Sequence, residues 1–338
     1  MKYEIRKIWN KSKTRKMKNY NIKKNNKIIK KLIKVSSCLV MIIFLLVKIN
    51  FIKYKENNIK SKTKVCLCCI ARMENLYISE FVDHYKSIGY NHIYLYDNND
   101  INGERFDDVI KDKITSGFVT VLNFRGYRGG KDNAQMDAYY DCFNRFNSKC
   151  NWISFFDIDE YLFINPLNGK NRTIQEMLDN PKYDDCENVK INWKSYSDSG
   201  KLYYENKPLT ERFTEFSRFR YEFGNVKSTI RTNISNNRKR TYSPHTVYRN
   251  IKGCLSSGRR KQFDFYQMPA DYGGAYIKHF VTKTISEYCN KTIRGHAMIT
   301  FVLNKGKLGE RFNYFFTTNK KTQEKVDIFN KIFNTTFK

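Results

Sequence analysis

Short apolar runs alternate with stretches of helical spacing along the middle of the chain. The runs are almost wholly apolar, which is typical of parallel strands buried on both faces. They are Val65–Ala71, His92–Tyr96, Phe118–Phe124 and Trp152–Phe156. Between them, helical patterns are predicted over 77–88, 106–111 and 133–146. Alternation of strand and helix predicts an α/β fold with a doubly wound, mostly parallel sheet.

Beyond residue 165 the pattern loosens into shorter strands. This change predicts a smaller antiparallel C-terminal part, and we divide the body into halves over 65–165 and 166–338. Thr284-Ile-Ser-Glu287 has the spacing of a capping box and opens a predicted helix toward Arg294.

The N-terminal region has a different pattern. Residues 1–34 hold 14 Lys and Arg against one acid, and an apolar stretch over 35–52 follows them. Eighteen residues as a helix span about 27 Å, close to the thickness of a bilayer core. We interpret 35–52 as a transmembrane signal anchor, 1–34 as a cytoplasmic arm and 53–64 as a stem. The expected topology is single-pass type II, with the body facing the Golgi or ER lumen in a eukaryotic cell.

The distribution of charge along the chain bears on whether the protein binds nucleic acid. The formal net charge is +29, but residues 65–338 carry only +11 of it, so most of the excess belongs to the N-terminal region. Attraction of this region to anionic lipid explains the charge without nucleic acid.

Nine Cys cannot all pair. We expect mainly free core thiols, with Cys142–Cys150 as a bridge if the compartment is oxidising.

Three acids follow the Trp152–Phe156 strand directly. Asp157 and Asp159, one residue apart, can turn toward the same Mn²⁺ or Mg²⁺, since such cations prefer carboxylate oxygens. Asp-x-Asp alone is a weak signal, and solvated acids at a strand end are the alternative. The position of the motif strengthens the metal interpretation, because open α/β sheets bind ligands beyond their strand ends. Glu160 is expected to organise the loop rather than bind metal.

Other polar residues stand at the same predicted edge of the sheet. These strand-end candidates are Arg72, Glu74, Asp97 and Arg128. Asp97 either accepts hydrogen bonds from a nucleotide or caps the next turn. A glycine-rich phosphate loop of either standard spacing is missing.

Several blocks in order resemble glycosyltransferase family 92 and its family 2-like relatives. The similarity runs from about residue 64 to residue 295. It is carried by Arg72-Met-Glu-Asn75, Glu80–Tyr85, Asn91–Asn98, Gln135 with Ala138–Cys142, Trp152–Phe163, Trp193, Asp198-Ser-Gly200, Lys227–Arg231, Pro244-His245, His279–Lys283 and Arg294-Gly295.

The resemblance implies a GT-A fold, a UDP- or GDP-sugar donor, a divalent cation and transfer to a glycan or glycoconjugate acceptor with inversion. The first half of the body then binds the nucleotide sugar and the second half the acceptor. We assign Asp157, Asp159 and His279 to the metal. The donor-binding residues are Arg72, Glu74, Asp97, Arg128, Gln135, Lys283 and Arg294.

An inverting transfer needs a base on the acceptor side, opposite the leaving diphosphate. Asp198 is our first choice, because it lies in a loop that ends at Gly200, and His245 is the second. An ordinary Asp turn is the alternative for Asp198.

Two other functions fit parts of the sequence. A phosphoryl or nucleotidyl transferase also uses paired acids with Mg²⁺, although it lacks a phosphate-binding glycine motif here. A nucleic-acid-binding protein matches the basic charge but leaves the carboxylates and the anchor unexplained.

Overall fold

The computed structural model describes residues 41–48, 63–129, 133–234, 238–261, 265–295 and 304–338. Residues 41–48 are helical, and the rest of the predicted anchor over 35–52 lies outside the described residues, as do the arm over 1–34 and most of the stem over 53–64. Among the helices that are described, none has the length and apolar character needed to cross a membrane.

Strands and helices alternate through the first half of the body. The strands are β1 Val65–Ala71, β2 His92–Asp97, β3 Val119–Asn123, β4 Trp152–Phe155, β5 Glu160–Ile164, β6 Asn188–Ser195, β7 Val226–Arg231, β8 Lys239–Ser243, β9 Thr246–Arg249, β10 Gly253–Leu255 and β11 Ala275–His279. The helices are α1 Ile78–Ser87, α2 Asp107–Thr115, α3 Ala134–Phe146, α4 Ile174–Leu178, α5 Leu209–Arg212, α6 Ile285–Arg294, α7 Lys305–Thr318 and α8 Gln323–Phe333.

One large sheet organises residues 61–338, with the strand order β3-β2-β1-β4-β7-β6-β11-β5 and β10 beside β6. Strands β1 to β4 are parallel, β6 is parallel to β10 and β11, and β7 and β5 run antiparallel to their neighbours. The predicted mostly parallel α/β sheet is therefore confirmed. The chain passes from β3 back to β4 on the other side of β1, and this reversal creates a crevice beyond the carboxyl ends of β1 and β4.

The side chains of β1 alternate between two cores, as a strand buried on both faces requires. Val65, Leu67 and Cys69 pack in a core that includes α1, and Cys66 and Cys68 pack in a second core that includes α3. Helices thus cover both faces of the sheet, and the strand ends remain available for a site.

The C-terminal part differs from its prediction. Strands β6, β7, β10 and β11 of this part join the main sheet, where β6 is parallel to β10 and β11, and the only described sheet outside it is the β8–β9 hairpin. The two predicted halves therefore share one sheet. The chain then continues through α6, α7 and α8, which pack around a core of their own. Thr284 and Glu287 form the predicted capping box at the start of α6.

Four cysteines are paired in two disulfides, Cys66–Cys150 and Cys186–Cys254. The expectation of mainly free thiols is wrong for these four, and so is the Cys142–Cys150 alternative. Cys150 lies just before β4, next to β1, which places it beside Cys66. Cys142 instead stays free and buried on α3.

Candidate active site

A pocket of about 340 Å³ opens at the crevice beyond β1 and β4. Its wall is built from loops after β1 and β4, from β6 and β11, and from α6 and α7. Eight of the predicted site residues line it: Arg72, Glu74, Gln135, Asp157, Asp159, His245, His279 and Arg294. The sheet therefore brings together residues that are more than 200 positions apart in sequence.

Asp157 is held by three donors, two on α3 and one on β7. Its Oδ1 accepts hydrogen bonds from Gln135 Nε2 at 2.6 Å and from the Tyr139 hydroxyl at 3.1 Å. Its Oδ2 accepts from Lys227 Nζ at 2.8 Å. The side chain keeps 33% of its surface exposed, so it is fixed in place and still faces the pocket.

Lys227 is almost fully enclosed, with 1% of its side chain exposed, and it lies between two acids. Burial would lower the pKa of Lys227, but Asp157 and Glu160 raise it above its ordinary value. Burial would raise the pKa of Asp157, yet Lys227 outweighs this effect and holds it below the usual range. The pair is therefore charged on both sides.

Glu160 closes the turn that carries the two aspartates. Its Oε2 accepts from the backbone N–H of Asp157 at 2.9 Å, as expected for a residue that organises the loop. Burial raises the pKa of Glu160 well above its usual range, and Lys227 offsets this only in part, because Asp157 and Asp159 repel a further negative charge. Burial therefore disfavours the charged form of Glu160.

Asp159 has one oxygen occupied and one open. Its Oδ2 accepts from Lys291 Nζ at 2.6 Å, and none of the described side chains donates a hydrogen bond to Oδ1. Burial opposes ionisation, but Lys291 and the more distant Lys283 hold the pKa of Asp159 well below its usual range. Asp159 is thus a buried carboxylate with a free oxygen.

His279 faces this free oxygen, with Nε2 at 3.7 Å from Asp159 Oδ1. The separation is too long for a hydrogen bond. Burial lowers the pKa of His279 to about 3, against the opposing charge of Asp159, so the imidazole is neutral. Its Nδ1 is buried without a partner in the described structure, and Trp193 packs against the ring.

The donor chemistry of this pair fits a small divalent cation. Mg²⁺ in proteins is commonly held by one or two carboxylates and completed by water and substrate phosphate. A neutral imidazole and a carboxylate oxygen that accepts no hydrogen bond are both free to ligate. Across the described ranges, no three His, Cys, Asp or Glu side chains are arranged to hold an ion together. The predicted triad with Asp157 is therefore not assembled, and Asp159 with His279 is the part that fits.

A second group of charges borders the pocket at the end of β1. Arg294 Nη1 donates to the backbone oxygen of Arg72 at 2.7 Å and pairs with Glu74 Oε1. The other oxygen of Glu74 is buried with no hydrogen-bond partner among the described residues. This group joins α6 to the loop after β1 and adds cationic side chains to the wall.

His245 lies on the wall between β8 and β9. Its Nδ1 is 3.1 Å from the backbone oxygen of Val226, which can only accept a hydrogen bond, so Nδ1 carries the proton. Burial and the nearby Lys227 lower the pKa of His245 to about 4. The ring is therefore neutral, and Nε2 has a free lone pair and no partner in the described chain.

Asp198 does not belong to this pocket, which corrects its prediction as the base. It forms a buried ion pair with Lys325 of α8, and each side chain is 2% exposed. Its backbone N–H donates to Asn319, and its Oδ1 accepts from the N–H of Gly200. Asp198 therefore closes a turn and anchors the last helix.

Three predicted donor-binding residues also lie off the pocket wall. Asp97 is buried and binds Arg125 and the backbone N–H of Asn99, which is the turn-capping alternative. Arg128 pairs with Asp100. Lys283 is buried with its ammonium 4.2 Å from the Tyr77 ring centroid.

Some pocket residues were missed from the sequence. They are Asn98, Trp193, Lys291, Arg311 and Tyr314 on the wall, and Lys227 behind it. The sequence could have pointed to Lys227, because it is a charged residue inside the buried strand β7. It could also have pointed to Lys291, since this residue shares a helix face with Arg294 three residues later. Arg311 and Tyr314 come from α7, for which no helix was predicted.

The family model for glycosyltransferase family 92 matches residues 61–283, which include the paired acids, Lys227 and His279. The chain belongs to glycosyltransferase family 92. The three C-terminal helices lie beyond the matched residues, although α6 and α7 contribute to the pocket wall.

Curated relatives are similar over parts of the chain. A glycosyltransferase family 92 protein of Oryza sativa subsp. japonica is 25% identical over 44% of this chain and 24% of its own length. The galactan beta-1,4-galactosyltransferase GALS1 of Arabidopsis thaliana is 30% identical over 28% of this chain and 20% of its own length. The matches thus span a quarter or less of these relatives.

Among solved structures, S. aureus TarS 1-349 in complex with UDP-GlcNAc aligns with 80% of this chain and 72% of its own chain, at 12% identity and a TM-score of 0.39.

Proposed function

We propose that the chain is a metal-dependent glycosyltransferase with a GT-A fold that moves a sugar from a UDP- or GDP-sugar to a glycan or glycoconjugate acceptor with inversion. The observation that carries the proposal is the carboxylate pair Asp157 and Asp159 at the end of β4, in a pocket that is also lined by Lys and Arg side chains. Membership of family 92 supports it.

Asp159 and His279 are the residues that would hold Mn²⁺ or Mg²⁺, with Asp157 beside them. When bound, the cation offsets the negative charge that develops on the leaving diphosphate. Lys227 and Glu160 keep the loop of the two aspartates in position, because both are buried and bonded to it. The loop that carries the two carboxylates is therefore held in place beside the pocket.

The cationic wall suits the diphosphate of the donor. Lys291, Arg294, Arg72 and Arg311 all line the pocket. Arginine and lysine near transferring phosphoryl oxygens stabilise negative charge by charge-assisted hydrogen bonds. Lys291, Arg294 and Arg311 come from α6 and α7, so the C-terminal helices form the phosphate side of the site.

His245 takes the role of the base in place of Asp198. The acceptor hydroxyl oxygen attacks the anomeric carbon, its proton passes to His245 Nε2, and the bond to the diphosphate oxygen breaks. A single displacement of this kind inverts the anomeric carbon. The assignment is supported by the tautomer, since Val226 holds the proton on Nδ1 and leaves Nε2 as an acceptor.

The test is transfer measured with a panel of UDP- and GDP-sugars and oligosaccharide acceptors, with Mn²⁺ and with chelator. We expect His245→Gln to lower transfer by about 100-fold or more while donor binding persists. Asp198→Asn serves as the control for the base, because Asp198 lies outside the pocket. Transfer that survives in His245→Gln and disappears in folded Asp198→Asn contradicts the assignment.

We further infer that the body faces an oxidising compartment, in keeping with type II topology. Two disulfides support this placement, since such bonds persist mainly in secreted or lumenal proteins. In sealed vesicles, protease should then spare the body and reach the arm over 1–34. Glycan acceptor sites on the body are Asn171, Asn233, Asn290 and Asn334. A body that is digested in intact vesicles contradicts the topology.

A further inference from the structure

The strands that carry Trp193 and His279 to the pocket also present two lysines on the opposite face of the sheet. Successive side chains of a strand point to opposite faces, so Lys194 and Lys278 face away from the pocket. They are direct partners in the register of β6 with β11. Phe163, Tyr272 and Tyr276 surround them, and these five residues form what we name the lysine face.

The rings of the lysine face hold the two ammonium groups in place. Lys194 Nζ lies 3.8 Å from the ring centroid of Tyr276 and 4.6 Å from that of Tyr272. Lys278 Nζ lies 4.0 Å from the centroid of Phe163, which stacks on Tyr276 across β5 and β11. All five side chains are partly exposed, so the face is open to a ligand.

The positive charge of the lysine face is uncompensated. Neither Lys194 nor Lys278 forms an ion pair or a side-chain hydrogen bond with the described residues, and His84 next to Phe163 is neutral, because burial lowers its pKa to about 4. Burial lowers the pKa of Lys278, and Lys194 lowers it further. Like charges placed directly opposite each other in a sheet are destabilising. A bound anion relieves this repulsion.

A chain of ring contacts leads from the lysine face to Arg220. Tyr196, whose ring lies 5.5 Å from Lys278 Nζ, packs on Phe216, and Arg220 lies over the rings of Phe216 and Phe223. Arg220 also has no acidic partner in the described chain. The next turn carries Glu222, which accepts from the hydroxyl of Tyr314 on the pocket wall. Arg220 is thus a further cation, linked to the lysine face through Tyr196 and Phe216.

We propose that the lysine face binds the carboxylates of an acidic polysaccharide, and that the acceptor of this enzyme carries such groups. The choice of a glycan rests on the proposed function, and the choice of an anion rests on the unpaired cations. The ring faces are already covered by ammonium groups, so they offer no stacking platform for nucleobases. The polymer is thereby held along the sheet while one end reaches the pocket.

Direct binding tests this proposal without donor or transfer. The probe is polygalacturonate, compared with its carboxyl-reduced neutral form, with an oligonucleotide of equal charge and with phosphatidylserine vesicles. Lys194→Met/Lys278→Met keeps the alkyl stems on the rings and removes both charges. Lys239→Met/Lys331→Met removes two exposed lysines of β8 and α8 and is the matched control.

We expect polygalacturonate to bind wild type and control equally, to bind Lys194→Met/Lys278→Met about 10-fold more weakly, and to lose affinity in high salt. The neutral polymer should bind far less. Equal binding of both polymers, no loss in the double variant, or an equal loss for oligonucleotide or vesicles overturns the proposal. Thermal stabilisation by UDP- or GDP-sugars in the same preparations reports separately on the proposed function.

Discussion

At the scale of single residues, the site depends on the buried ammonium of Lys227 and the two acids beside it. Lys227 is enclosed by Asp157, whose pKa it holds below the usual range, and by Glu160, whose pKa burial raises. If Asp157 loses its charge, Glu160 no longer meets that repulsion and is still within reach of Lys227. The fold therefore has a second partner for the buried cation.

This arrangement predicts different results for one substitution and for two. Asp157→Asn should lose metal-dependent donor binding and keep its fold, since Glu160 ionises beside Lys227. Asp157→Asn/Glu160→Gln should lose about 3–5 kcal/mol of unfolding free energy, because the buried ammonium is left without a counter-charge. Urea unfolding of wild type, both singles and the double variant measures this coupling. Additive, small losses in the double variant contradict it.

The sequence revealed the aspartates but not the cations that hold them. An apolar run that ends in acids is a local signal, and it led to Asp157 and Asp159. Lys291 and Lys325 meet their acids only in three dimensions, more than 100 residues away in sequence. That is also why Asp198 resembled a loop base, since nothing near it in sequence indicates its buried partner.

At the scale of elements, a disulfide bond links strand β1 to the residue just before β4. The disulfide Cys66–Cys150 closes a loop of 84 residues in the unfolded chain. Closing a loop of this size removes conformational entropy from the unfolded state and stabilises the fold by about 4 kcal/mol. Because the site acids follow β4, the bridge also fixes the strand that presents them.

Removing this bridge should therefore be costly. Cys66→Ala/Cys150→Ala is expected to lose about 4 kcal/mol of unfolding free energy in urea. Cys68→Ala is the control, since Cys68 is buried on the same strand but unbridged, and it should lose only its own packing. Equal stability of the bridged and unbridged proteins would show that the pairing does not form.

The elements of the first half were predicted more completely than those of the second half, where the helix that begins at the Thr284 capping box was found. Buried parallel strands and amphipathic helices leave clear periods, and β1, α1, β2, α3 and β4 were found close to their true bounds. Strand β7 joins the main sheet by antiparallel pairing with β4 and β6, which no local pattern specifies. Helices α7 and α8 pack an apolar face against α6, and this contact could not be predicted from their sequence pattern.

At the scale of the whole molecule, buried histidines link stability to pH. Burial lowers the pKa values of His84 and His245 to about 4. In the unfolded chain the value is about 6.5. Between about pH 6.5 and pH 4 the unfolded chain binds protons that the folded protein does not, so stability falls as pH drops through this window.

Replacing one of these histidines should flatten that dependence. His84→Gln keeps a donor for the backbone oxygen of Leu162 and removes one titration. Between about pH 6.5 and 4, the unfolding free energy of wild type should change by about 1.4 kcal/mol per pH unit more than that of His84→Gln. Urea unfolding across this range gives both slopes. Parallel slopes would mean that His84 titrates normally in the folded protein.

Thermal unfolding with ligands is the sharpest test of whether the pocket binds a nucleotide sugar. The protein is heated with Mn²⁺ and UDP-sugars, GDP-sugars, nucleoside triphosphates or an oligonucleotide, and Asp159→Asn is treated alike. We expect a UDP- or GDP-sugar to raise the unfolding temperature of wild type and not of Asp159→Asn. Stabilisation by triphosphate or oligonucleotide with no response to any nucleotide sugar would contradict it.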